Sequence, residues 1–283
     1  MTIADVQERL RSHLGQLVRE RDPFLATAGH FYVQQYIREQ LGQWGTVEQH
    51  EFDYQRQTHT NFILNLPGTQ PSDRLILVGA HYDAVPGTPG ADDNASGVAA
   101  LLELAEALAA QPAQYPVQLV AFDLEEYGMV GSGHYADRLH QQQQKIRLML
   151  SLEMLGYCTQ TPNSQQYPVE AMKAVYPSVG NYIGLIGNLP TIPDLLHFNG
   201  HLKQAGVPSQ WLPAGLRGDL IRATRLSDHA PFWDRGYRAM MVTDTAFMRN
   251  PHYHQASDRL ETLDLNFMAG ICQGLVQAIQ QLR

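Results

Sequence analysis

Apolar residues recur at helical spacing near the start of the chain, at Ile3, Val6, Leu10, Leu14 and Leu17, and again at Val33, Tyr36, Ile37 and Leu41. This period predicts two amphipathic helices, the first within residues 1–22, with Asp22-Pro23 as the break between them. The period then shortens. "NFILNL" (61–66) and "RLILVGA" (74–80) read as two strands joined by the turn "PGTQPSD". "SGVAALLELAEALAA" (96–110) reads as a buried helix, and "PVQLVAF" (116–122), "RLMLSL" (147–152) and "AMMVT" (239–243) as further strands. Phe267, Ile271, Leu275, Ile279 and Leu282 outline a last helix. The glutamine run 141–144 reads as a solvated helix end, and residues 156–228 as an irregular, loop-rich segment of functional character.

Strands alternating with helices predict an α/β fold: a single-domain three-layer sandwich with a largely parallel mixed central sheet, spanning residues 1–283. A formal net charge of -8 without a Lys/Arg cluster argues against nucleic acid or an anionic membrane as the main partner. Cys158 and Cys272 cannot build a disulfide framework, so free thiols are expected. The polar N-terminal stretch is unlike a signal peptide, and no apolar run reaches the length of a membrane span; the expected compartment is cytoplasmic.

The polar residues gather where the strands end. "RLILVGA" runs into His81 and Asp83, "PVQLVAF" into Asp123, Glu125 and Glu126, "RLMLSL" into Glu153, and "AMMVT" into Asp244. Ligand crevices of open α/β sheets lie outside the carboxyl ends of the strands, so parallel strands would bring these acids to one rim. That many carboxylates together need a cation, and a mixed His/carboxylate set suits Zn²⁺ better than Mg²⁺ or Ca²⁺. Taken singly, each motif has an ordinary reading; "DD" before a small-residue helix, for example, is usually an N-cap. Their joint order on strand ends is what points to a metal site.

In order, "HYD", "GADDNASG", "FDLEEYGMVGS", "SLEMLGY", "SDHAPFW" and "NPHYHQASD" resemble the motifs of the co-catalytic zinc aminopeptidases, over roughly residues 25–265. The resemblance implies a zinc-exopeptidase-like fold and two zinc ions. His81 and Glu153 would serve one ion, Glu126 and His254 the other, with Asp93 bridging both. It implies Asp93 rather than Asp92, and His254 rather than His252, and a cis peptide at Asp93-Asn94. Asp83 would hold the His81 ring, Asp228 would support the site from outside, and Glu125 would be the general base activating water. Two positions depart from the family pattern. Glu153 stands where Asp is usual, which bears on the second metal, and Leu124 replaces a common Gly.

The function implied is zinc-dependent removal of N-terminal residues from peptides with a free N-terminus. A single-zinc acyltransferase resembling glutaminyl cyclases is the alternative, and a catalytically inactive binding module the second. Tyr157, Cys158, Phe232, Trp233 and Tyr253 are candidates for lining a specificity pocket, and His229 for an outer contact.

Overall fold

Eight strands form one mixed sheet in the computed structural model, which describes residues 2–283. They are β1 (Val47–Tyr54), β2 (Gln57–Leu66), β3 (Arg74–His81), β4 (Val117–Phe122), β5 (Lys145–Glu153), β6 (Ile183–Gly187), β7 (Ser209–Pro213) and β8 (Ala239–Thr243). Their order is β1-β2-β4-β3-β5-β8-β6-β7. The central four, β4-β3-β5-β8, are mutually parallel, while β1, β2 and the β6–β7 pair join by antiparallel pairing at the flanks.

The central strands read as unbroken apolar runs because helices cover both faces. Ile76, Val78 and Ala80 of β3, and Leu148, Leu150 and Leu152 of β5, enter the larger core. That core is closed by α1 (Ile3–Leu17), α2 (Thr27–Gly42), α3 (Gly97–Ala110), α5 (Ile192–Gln204) and α7 (Leu265–Gln280). The alternate residues Leu77 and Met149, with Val120 and Phe122 of β4, face a smaller core under α4 (Val130–Gln141) and α6 (Ala230–Asp234). The first-helix stripe buries Val6, Leu10, Leu14 and Leu17, each worth roughly 1.5–3 kcal/mol against exposure. The α/β three-layer expectation therefore holds.

Three local expectations are corrected. The segments 61–66 and 74–80 are not paired with each other: β4 inserts between them, so "PGTQPSD" is a crossing connection rather than a hairpin turn. The first of these strands starts earlier, at Gln57, and has a partner, β1, whose sequence "VEQHEFDY" buries only Phe52 and so shows no apolar run. Residues 156–228, irregular by pattern, hold β6, α5 and β7. β7 is a half-buried strand at the sheet edge ending in a proline, and α5 buries Leu195, Phe198 and Leu202 amid polar neighbours. The glutamine run does end α4 in solvent. No helix among the described residues is long and apolar enough to cross a membrane.

Candidate metal centre

Because β4, β3, β5 and β8 run in parallel, their carboxyl ends lie on one rim. His81 closes β3, Glu153 closes β5, and Glu125 and Glu126 occupy the turn after β4. Asp93 sits in the irregular turn Ala91–Ser96 that leads into α3, and His254 in the loop after β8. His81 Nε2 lies 3.3 Å from Asp93 Oδ1, 3.7 Å from Glu153 Oε2 and 4.0 Å from Glu125 Oε2. His254 Nε2 lies 3.0 Å from Asp93 Oδ2 and 3.4 Å from Glu126 Oε2. Two donor triads result, His81/Asp93/Glu153 and Asp93/Glu126/His254, and Asp93 offers a different oxygen to each.

The neighbouring candidates turn elsewhere. Asp92 is fully buried, and its carboxylate accepts from the Gly156 amide at 2.8 Å and from Asn250 Nδ2 at 2.6 Å. His252 Nδ1 pairs with Ser257 Oγ at 2.9 Å. The Asp93-Asn94 peptide is cis. Asn94 Nδ2 donates to Leu152 O at 2.8 Å, and Asn94 Oδ1 accepts from the Met154 amide at 3.1 Å, tying the Asp93 turn to the end of β5. The glycine opening α3 is required there: a Cβ on Gly97 would stand 2.6 Å from the Leu152 carbonyl.

Asp83 does more than orient His81. Its Oδ1 lies 3.3 Å from His81 Nδ1, and its two oxygens accept the backbone amides of Glu125 (3.1 Å) and Glu126 (3.2 Å). One carboxylate thus fixes a histidine ring and the paired-glutamate turn together. Sequence reading missed this second role, since backbone partners leave no trace in a motif. It also missed Ser227, whose hydroxyl donates to Glu153 Oε2 at 2.8 Å and meets Ser151 Oγ at 2.7 Å. Asp258 likewise accepts the amides of Asp92 and Asp93.

The electrostatics call for a cation. His81 Nε2, His254 Nε2 and Glu126 Oε1 are buried without a hydrogen bond among the described residues. With Nδ1 of His81 directed at Asp83, its Nε2 faces carboxylates, an arrangement that needs either a proton or a metal between them. Burial opposes protonation of both rings. The surrounding acids outweigh it, raising His81 well above its ordinary value and His254 to about 10. Burial, with the Asp93 charge adding, raises Glu126 to about 7, and burial together with Glu153, Glu126 and Asp228 raises Glu125 well above the carboxylate range. Burial also lifts Asp228 to about 7, with Glu153 and Asp83 contributing. A dication relieves all these penalties at once, and nitrogen and oxygen donors without thiolate fit zinc.

Residues 61–184 match peptidase family M28. Over these residues the chain carries a peptidase family M28 domain. It is 37% identical over 215 residues to the uncharacterized protein YfbL of Escherichia coli, covering 71% of this chain and 65% of that protein. It is also 37% identical over 105 residues to aminopeptidase YwaD of Bacillus subtilis, covering 36% of this chain and 23% of that one. The chain therefore spans less than two thirds of the length of these relatives. Legionella pneumophila LapA, an aminopeptidase by name, shares the fold with a TM-score of 0.77 at 18% identity, over 99% of this chain and 74% of LapA.

Around the two triads several flanking candidates separate. Phe232 and Trp233 are buried in the smaller core, and Cys158 packs beside the larger one. Tyr157 sets its ring against His252. Tyr253 stacks on His254, ring centroids 3.7 Å apart, and lines the adjoining cleft. Among the described residues His229 makes no hydrogen bond or ion pair with the triads. Its Nε2 donates to Thr224 O at 2.8 Å, and its ring meets Trp233 edge-on. Burial lowers its pKa from 6.5 to about 4. The unfolded chain takes up this proton near pH 6.5 and the folded chain only near 4, so stability is full above pH 6.5 and is lost as pH falls toward 4. The expected loss is up to about 3 kcal/mol. Urea midpoints at pH 7 and 4.5 should therefore fall less in H229Q than in the parent protein; equal falls would contradict this account.

Proposed function

We propose that this chain is a zinc-dependent aminopeptidase that removes N-terminal residues from peptides, with one zinc ion at each triad. The observation that carries the reading is the pair of donor triads sharing Asp93, with Glu125 beside them and outside both. The M28 match and the aminopeptidase names among the relatives support it.

Zinc held by His81, Asp93 and Glu153, and by Asp93, Glu126 and His254, would supply Lewis acidity toward the scissile carbonyl and lower the pKa of water. Glu125 stands at the rim with its side chain 14% exposed, buried enough for a raised pKa yet open to solvent. It takes a proton from the attacking water as the oxygen bonds to the carbonyl carbon. As the C–N bond breaks, Glu125 delivers that proton to the departing nitrogen, and the free amino acid and shortened peptide leave.

The substrate side chain has a place to go. A cleft begins at Glu153 and Tyr253 and is lined by Tyr167, Tyr182, Trp211 and Met241. Among the described residues Glu153, proposed as a ligand, is its only charged lining residue, so an apolar N-terminal side chain fits and a charged one loses solvation without a partner. A short peptide with leucine at one end and lysine at the other tests the reading by mass spectrometry. Shortening from a free leucine N-terminus is expected; shortening from the carboxyl end would contradict it.

A further inference from the structure

Arg21 lies in the break between α1 and α2, outside the residues that match the family. Its sequence setting, "RERDP", suggests a solvated turn, yet the residue is 1% exposed. Its guanidinium donates to six backbone carbonyls from three stretches of chain. Nε reaches Tyr82 O at 2.8 Å, and Nη1 reaches Pro89 O at 2.6 Å, Arg19 O at 3.2 Å and Leu17 O at 3.4 Å. Nη2 reaches Gly90 O at 2.8 Å and Asp93 O at 3.2 Å. These contacts span the loop between His81 and Asp93, gripping it one residue after the histidine and again at the bridging aspartate. Gly90 must lack a side chain for this approach: its φ is 58°, and a Cβ would stand 2.8 Å from both Nη atoms.

The next residue holds the other side of the centre. Asp22 Oδ1 accepts the amides of Phe24 (2.9 Å) and Leu25 (2.6 Å), which fixes its own turn. Its Oδ2 accepts the hydroxyl of Tyr127 at 2.6 Å, and Tyr127 directly follows Glu126. Farther along, His30 Nε2 lies 2.8 Å from Asp123 Oδ1, at the start of the same turn. Two adjacent residues of one inter-helix break thus hold separate loops, one carrying Asp93 and the other Glu126.

We propose that Arg21 and Asp22 are positioning residues of the metal centre: they fix the Asp93 and Glu126 loops relative to one another and so set the affinity for the cation. This rests on the metal-centre reading above. It needs no contact with substrate. Lysine cannot replace Arg21, because one ammonium with three donors cannot reach carbonyls fanned around a planar fork.

The test is zinc affinity by competition with a chromophoric chelator, for the full chain and for R21K, R21M and Y127F, with melting of the zinc-free forms measured alongside. Y127F keeps the ring contacts with Phe24 and Tyr54, so it folds even if R21M does not. Loss of about 10–100-fold in zinc affinity is expected in R21K, as for other partners that orient metal ligands, with a smaller loss in Y127F. At saturating zinc, kcat for an aminoacyl anilide should fall while KM stays near the parent value. Lower melting temperatures with parental zinc affinity would overturn the proposal and leave the pair a purely structural tie. Absence of zinc binding by the parent protein would overturn it as well. If the variants lose zinc affinity but the parent cleaves no anilide, the positioning role stands and the aminopeptidase reading falls.

Discussion

Glu125→Gln is expected to lower kcat for peptide or anilide hydrolysis by about 10²–10⁴-fold, the range that a positioned acid–base group contributes. The glutamine amide keeps the size of the side chain and cannot carry the proton. Glu125 belongs to neither donor triad, so bound zinc and KM should stay close to those of the parent. Its backbone amide would still donate to Asp83, so the turn is expected to keep its place. Zinc content by atomic emission, measured beside the kinetics, separates this result from a loss of metal. A variant that lost zinc in proportion to activity would place Glu125 among the ligands instead.

The opposite pattern is expected of Asp93→Asn. Asp93 is the one residue common to both triads, presenting one oxygen to His81 and the other to His254. An amide nitrogen at either position removes a donor atom and a full negative charge from the point where the two triads meet. Zinc affinity should fall at both triads by more than the 10–100-fold that loss of an outer partner costs, and activity should fall with it. Glu126→Gln should weaken zinc only at the His254 triad. Isothermal titration of the three proteins reads the difference directly. Equal losses in the two variants would contradict the sharing of Asp93.

How much of this was legible in the sequence depended on where the information lay. Strand ends carrying acids and a histidine can be read from residue order, because parallel strands all deliver their C-terminal residues to one rim. His81, Asp93, Glu126, Glu153 and His254 follow from that order and from the resemblance, and they stand within one cluster. The topology was less legible. Insertion of β4 between β2 and β3 depends on long-range pairing that no local pattern encodes, and β1 buries only Phe52.

The supporting contacts were least legible of all. Arg21 donates only to backbone carbonyls, Asp83 accepts from backbone amides, and Ser227 acts on a glutamate 74 residues away. Nothing in the residue types marks these partnerships. A buried arginine and a surface arginine look alike as sequence, and only the fold separates them.

The central claim is metal-dependent release of a residue that has a free amine. Hydrolysis of leucine p-nitroanilide and of its N-acetyl form, each by zinc-loaded protein with and without a chelator, tests it most directly. Cleavage of the free amine alone is expected, abolished by the chelator and restored by added zinc. Cleavage that survives chelation, or that proceeds equally on the acetylated substrate, would contradict it.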